Sequence, residues 1–260
     1  MSKKNFWLRV IMILLFLTGL INMLFNQREV GMIFMFLGAI FLIIHLSLKA
    51  NEQKKYLNIS YIFSEKLDVE EYINEYKKFR ANSYLSGFEK SVDELSIILC
   101  KTAISHRYPL YEELLAKVEE EKDYSAVEKF FYYQSWFEYY IDEANIGKAE
   151  YIHQEMEKLY PRLPVQLQKH LSKEIGVNRL TLNVYKQEHI PQTEIILKTL
   201  LQQRITKISF IQVMYLLGII SYNQKDYVTA NYRFSYVFNN GKSTKWKEGA
   251  KAYLDVLHTV

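Results

Sequence analysis

Hydrophobic positions along this chain obey two different rules. Over the first fifty residues they are nearly continuous. "WLRVIMILLFLTGLINMLF" runs from Trp7 to Phe25 and "VGMIFMFLGAIFLIIHLSL" from Val30 to Leu48, with only "NQRE" between them. Each run is close to the ~20 apolar residues that cross ~30 Å of hydrocarbon. Residues 1–50 therefore read as a two-helix transmembrane anchor, with spans at about 7–25 and 30–48 in a tight antiparallel pair. From residue 51 onward, apolar residues recur instead at helical spacing, with few strand-like alternations. Breaks in that pattern predict helices over 51–63, 68–82, 86–105, 109–122, 125–142, 146–159, 163–187, 191–203, 206–223, 226–239 and 244–258. Asp68 with Glu71, Ser91 with Glu94 and Ser125 with Glu128 have the spacing of capping boxes. Pro109, Pro161, Pro164 and Pro191 fall at helix boundaries, where a missing N–H costs little. The fold class expected is all-α, with residues 51–260 forming stacked helix pairs.

The charges flanking the apolar runs carry the expected orientation. Lys3, Lys4 and Arg9 lie at the start of the first run, and Lys49, Lys54 and Lys55 follow the second. In the short connection Arg28 is cancelled by Glu29. The positive-inside rule then predicts a multi-pass protein of the cytoplasmic membrane with both termini in the cytoplasm. A cleaved signal peptide is disfavoured, because no small-x-small site follows the first run and a second apolar run comes at once. His45 is expected at the interface with the headgroups. Gly31 and Gly38 share a helix face, which lets the two spans approach closely.

Counting charge narrows the classes of partner. The chain holds 33 Lys+Arg and 29 Asp+Glu; residues 1–49 contribute five and one, leaving 28 and 28 for the rest. A region neutral overall is a poor nucleic-acid binder, since that binding rests on phosphate neutralisation. The basic residues Lys242, Lys245, Lys247 and Lys251 read as a solvated helix face, as does the acidic run from Glu112 to Asp123. One cysteine, Cys100, rules out an intramolecular disulfide framework and reads as a small buried hydrophobe. The six histidines show no i, i+3 or i, i+4 pair, so no metal site is expected. No phosphate loop, His-Glu-x-x-His pair or nucleophile elbow occurs. The residues point to no cofactor and no enzymatic activity.

One segment resembles a known repeat. In "MYLLGIISYNQKDYVTANYRFSYVF", Leu217-Gly218, Ala230 and Phe234 match the Leu-Gly, small and aromatic positions of a tetratricopeptide repeat (TPR), with Lys242 where a closing Pro is usual. Trp136, Tyr140, Ala149 and Pro161 fit a second unit, with Phe137 in place of the usual Gly. A weaker unit runs from about Glu174 to Ile205. The resemblance implies a TPR-like α-solenoid and a protein- or peptide-binding groove.

It also offers a place for the aromatic stretch "FFYYQSWFEYY", Phe130 to Tyr140. An inner helix of a stack buries two or three faces and leaves one on the groove. Phe130, Tyr133, Trp136, Phe137 and Tyr140 are then expected as packing rings. Phe131, Gln134, Glu138 and Ile141 fall at the spacing that would line the groove, joined by Asn178, Arg179, Tyr215 and Tyr222. Such a set suits a peptide backbone or a carboxylate. The function expected is a membrane-anchored interaction module, held in the bilayer by residues 7–48 and presenting its groove to a protein or peptide. The alternatives are a ligand-responsive sensor and an enzyme with an unrecognised site in the groove.

Overall fold

A computed structural model describes residues 3–25, 27–82, 125–242 and 244–259. Among these residues the chain is helical throughout, with no strand. The helices are α1 (Lys3–Leu24), α2 (Arg28–Tyr61), α3 (Val69–Asn82), α4 (Ala126–Asp142), α5 (Ile146–Leu159), α6 (Val165–Lys186), α7 (Ile190–Gln202), α8 (Lys207–Asn223), α9 (Tyr227–Asn240) and α10 (Lys245–Leu257). A π-helical turn, Ile62–Lys66, follows α2, and a 3-10 turn, Tyr160–Arg162, follows α5. The expected helices at 86–105 and 109–122, the Ser91–Glu94 pair, Cys100, Pro109 and the acidic run from Glu112 lie outside the described residues.

The chain divides into two compact units, residues 1–61 with 74–89 and residues 62–73 with 90–260. In the first unit, α1 and α2 pack as a pair and are long and apolar enough to cross a membrane. Glycines set their closest approach. A Cβ on Gly31 would lie 2.8 Å from the Gly19 carbonyl oxygen, and one on Gly38 would meet the Phe16 ring at 3.2 Å. Gly19 thus joins the expected pair Gly31 and Gly38 in letting the backbones touch. His45, expected near the headgroups, is buried instead. The expected break near residue 50 is absent: α2 continues for 34 residues, because "LKANEQKKYL" changes from apolar to polar using residues that nearly all favour helix.

In the second unit, sequence neighbours pack against each other from α4 to α10. The turns are fixed locally. Asn145, Thr206 and Asp226 each cap the next helix, their side-chain oxygens accepting from the backbone N–H of Lys148, Ser209 and Thr229. Asp68 does the same for Glu71 at the start of α3. Pro164 and Pro191 stand at the starts of α6 and α7.

Two core clusters result. The first joins Phe130, Phe137 and Ile141 of α4 to Ala149, Ile152 and Met156 of α5 and to Leu163, Leu171 and Leu182. The second is built around α8, which is apolar on all sides and buries every residue from Val213 to Ser221. At its centre α8 and α9 meet through a missing side chain: a Cβ on Gly218 would lie 2.7 Å from the Phe234 ring. Arg233 fastens the same pair, donating to the Leu217 carbonyl at 2.7 Å and the Ser221 hydroxyl at 2.6 Å.

The aromatic stretch sorts itself by depth. Phe130 and Phe137 are fully buried, while Tyr133, Trp136 and Tyr140 are half-buried against the same cluster. Trp136 stacks on Tyr140 at 5.3 Å and meets Tyr139 edge-on at 5.5 Å. These rings therefore satisfy one another along the helix as well as across it.

Candidate functional site

The site starts from one face of α4. Gln134, Glu138 and Asp142 recur every four residues, one above the next. Nothing in that local pattern says what they face. The structure turns them toward the start of α10 and the middle of α6.

Gln134 and Asn178 form a buried amide pair. The Asn178 Nδ2 donates to the Gln134 Oε1 at 2.7 Å, and the Gln134 Nε2 donates back to the Asn178 Oδ1 at 3.4 Å and to the Glu138 Oε1 at 3.2 Å. Glu138 in turn accepts from the Lys245 Nζ at 2.8 Å, and the same ammonium donates to both oxygens of Asp142, at 2.8 and 3.1 Å. The result is one continuous polar chain, Asn178–Gln134–Glu138–Lys245–Asp142, linking α6, α4 and α10. Its satisfaction is what makes its burial tolerable.

Lys245 is the unexpected member. It read as part of a solvated basic face, yet its side chain is only 4% exposed. Burial by itself would lower its pKa; Glu138 and Asp142 more than offset that and hold it above the ordinary lysine value. Lys245 is also the first residue of α10, where the helix dipole disfavours a cation. Two carboxylates from α4 stabilise both the ammonium and the helix terminus.

Beside this chain lies a cavity of about 270 Å³. Its walls come from five segments: Phe63 of the π-helical turn; Gln134 and Glu138 of α4; Lys173, Glu174, Val177 and Asn178 of α6; Ile208, Ser209 and Gln212 of α8; and Lys245 and Trp246 of α10. Glu174 stands in the concave wall, beside neighbouring side chains yet exposed to solvent. That surrounding, and then the nearby charge of Glu138, push its carboxyl upward, to about 7. Solvent contact limits the effect, so the direction carries more weight than the size.

Behind the cavity, the side chains of Tyr185 and Tyr215 hydrogen-bond to each other, and burial pushes both phenols up. Space for Tyr215 comes from Gly249, whose Cβ would lie 2.5 Å from the tyrosine oxygen.

The eight residues read from the sequence as groove-lining separate into three groups. Gln134, Glu138 and Asn178 line the cavity together. Ile141 and Tyr215 are buried in the two cores; helical spacing placed Ile141 beside Glu138, but α4 has core contacts on that side too. Phe131, Arg179 and Tyr222 lie elsewhere. Phe131 is half-buried against Phe130. Arg179 points outward and pairs with Glu157 of α5. Tyr222 packs edge-on against Tyr253 at 5.0 Å.

Sequence reading missed Lys245, Asp142, Glu174, Trp246 and Phe63. The periodic acid–amide face of α4 was a usable signal; its basic partner, 103 residues beyond Asp142, was not. Among the described residues no group of His, Cys, Asp and Glu is arranged to hold a metal ion. No known family, no curated protein and no solved structure matches the chain.

Proposed function

We propose that this protein is a membrane-anchored recognition module whose second unit takes one side chain of a protein or peptide into the cavity between α4, α6, α8 and α10. The cavity is the observation that carries this reading. At about 270 Å³ it falls just below the ~300–1,000 Å³ usual for sites that enclose a small molecule. It therefore suits a single side chain with its backbone outside. Its walls offer both hydrogen-bonding signs, two aromatic faces and a carboxyl group, Glu174, with no ion pair among the described residues, a mixture that selects among side chains rather than merely excluding water.

The stacked-pair, TPR-like reading draws support from a shared burial register in α5, α7 and α9. Ala149, Thr193 and Ala230 are at most 1% exposed, as small residues at a helix crossing should be. Four residues on, His153, Leu197 and Phe234 are buried; two residues on, Tyr151, Ile195 and Tyr232 are 61–67% exposed. One register repeated on alternate helices is what a solenoid of helix pairs requires.

The anchor reading rests on the first unit's surface. Large apolar side chains such as Leu14, Leu17, Ile33, Phe36 and Ile43 are more than half exposed. Water would disfavour such a surface and lipid would not. The charge bias described above favours cytoplasmic termini. Tethering then raises the local concentration of the module for partners at the membrane, without any bond chemistry.

The test is site-directed photo-crosslinking in native membranes. A photoreactive residue at Ser209, on the cavity wall, should give a discrete protein adduct that one at exposed Tyr151 does not. Filling the cavity with Ser209→Arg, while crosslinking from Gln212, should abolish the adduct and leave the melting temperature unchanged. The same adduct from the filled variant would remove the cavity from recognition.

A further inference from the structure

The basic residues at the end of the second apolar run do not stand alone. Past Leu48, α2 carries Lys49, Lys54 and Lys55, all exposed. The chain then reverses and α3 returns along the same helix. Phe79, in the last turns of α3, lies with its ring 6.2 Å from that of Tyr56 on α2. Because α3 begins only at Val69, this contact means that it runs back toward the apolar part of α2. Its last turns bring Lys77, Lys78 and Arg80 alongside the stretch from Lys54 to Asn58. Between the two helices lies a recess of about 360 Å³, lined by Glu52, Lys55, Asn58 and Ile59 on one side and Glu75, Lys78 and Phe79 on the other.

Folding therefore gathers two separate basic segments into one collar. The six basic residues Lys49, Lys54, Lys55, Lys77, Lys78 and Arg80 outnumber the two acids of the same stretches, Glu52 and Glu75, and Glu52 is buried. The same concentration appears in whole-unit charge. Residues 1–61 and 74–89 hold ten Lys+Arg and four Asp+Glu; subtracting from 33 and 29 leaves 23 and 25 for the second unit, so the net +4 is the sum of +6 and −2.

Distance decides what such a collar would meet. At ~1.5 Å per residue, Lys54 and Lys55 stand about 10 Å beyond Leu48 along α2. The polar headgroup layer is roughly 5–8 Å deep on each side of the hydrocarbon, and charges act across a further ~8 Å at physiological salt. Lys49, Lys54 and Lys55 fall inside that range, and Lys78 lines the same recess as Lys55.

We infer that the end of α2 and the returning α3 form a binding surface for anionic phospholipid headgroups, with Lys55 and Lys78 on opposite walls of the recess. This rests on the anchor reading above. Phosphate oxygens would be held between the two ammonium groups, and Lys78, which also pairs with Glu75 at 2.8 Å, would be shared between protein and lipid. Lys77 and Arg80 add attraction at longer range.

The full chain, purified in mild detergent and offered equimolar phosphatidylglycerol and phosphatidylcholine, tests this by native mass spectrometry of the retained lipid. The wild type should retain phosphatidylglycerol preferentially. The triple variant Lys55→Gln/Lys77→Gln/Lys78→Gln should lose that preference, by up to about fivefold for each charge removed. A control with the same net charge, Lys158→Gln/Lys169→Gln/Lys198→Gln in the second unit, should keep it. Equal retention of the two lipids by the wild type, or equal loss in both triple variants, would overturn the inference. Assembly into nanodiscs separates the two levels. A chain that enters the bilayer but shows no anionic preference leaves the anchor standing without the collar, whereas a chain that never enters it removes both.

Discussion

The two units of this protein invert each other's chemistry. The first displays its apolar side chains and concentrates basic charge at one end. The second buries its apolar side chains and, with them, a lysine and two amides, the lysine held by two partly exposed carboxylates. Both are helical, so backbone hydrogen bonding does not distinguish them. What differs is the medium each surface suits. In the first unit helix contact depends on missing side chains at Gly19, Gly31 and Gly38, which let the two backbones touch. In the second unit water supplies the drive for association, and specificity comes from polar groups that are satisfied in one arrangement only. A buried polar chain there selects a geometry more than it adds stability.

That contrast can be broken most directly at Lys245. Lys245→Ala should destabilise the second unit by more than about 1 kcal/mol, because Glu138 and Asp142, largely but not wholly shielded from water, would be left without their cation. Thermal unfolding followed by circular dichroism measures this. A loss below about 1 kcal/mol, the range of an exposed ion pair, would show that water reaches the carboxylates and that the network is a surface feature.

Next in size is the crossing of α8 and α9. Gly218→Ala should cost about 1–3 kcal/mol, since the new methyl meets a fully buried Phe234 ring that has nowhere to turn. Gly31→Ala in the first unit sharpens the comparison. It should separate α1 from α2, reported by weaker disulfide trapping between cysteines introduced across the pair, and leave the melting of the second unit alone. Loss of both together would mean that the two units fold as one.

The smallest expected effect is a pH dependence at Glu174. Its folded pKa, near 7, is above its unfolded value, so the folded state holds a proton that the unfolded state releases. The penalty is absent below the unfolded pKa, grows as pH rises through the interval from there to about 7, and is full above it. Glu174→Gln should therefore raise the melting temperature at pH 8 and leave it nearly unchanged at pH 4. The gain should be on the order of 1 kcal/mol or less, because the side chain is wetted. An equal gain at both pH values would assign the effect to packing.

Much of the helix layout was legible in advance because it is written locally. Boundaries for α4 to α10 fall within two residues of those expected from periodicity, prolines and polar breaks. Asp68 caps α3 as its spacing with Glu71 suggested. The break expected at residue 50 rests on a change from apolar to polar composition, but "KANEQKK" lacks glycine and proline, so the helix runs on. The site was legible only in part. Gln134 and Glu138 follow from helical spacing and Asn178 from the repeat resemblance, and all three line one cavity. Lys245 was misread because its two partners lie 103 and 107 residues earlier, and no local pattern separates a lysine on a wet face from one that closes a network. Ile141 failed for the opposite reason: it follows the same spacing as its polar neighbours but packs into the core.

The unbroken course of α2 has a mechanical side. Its 34 residues make a strut roughly 50 Å long, of which the last thirteen, from Lys49 to Tyr61, lie beyond the apolar run. A continuous helix transmits torque: a turn of the apolar part about its own axis appears undiminished at Tyr61, and a tilt is carried outward as on a lever. Phase is fixed as firmly as length. One residue inserted between Lys49 and Glu52 would rotate every later side chain of the helix by about 100° and advance it by about 1.5 Å, so the heading of the extension is indexed, residue by residue, to the orientation of the span.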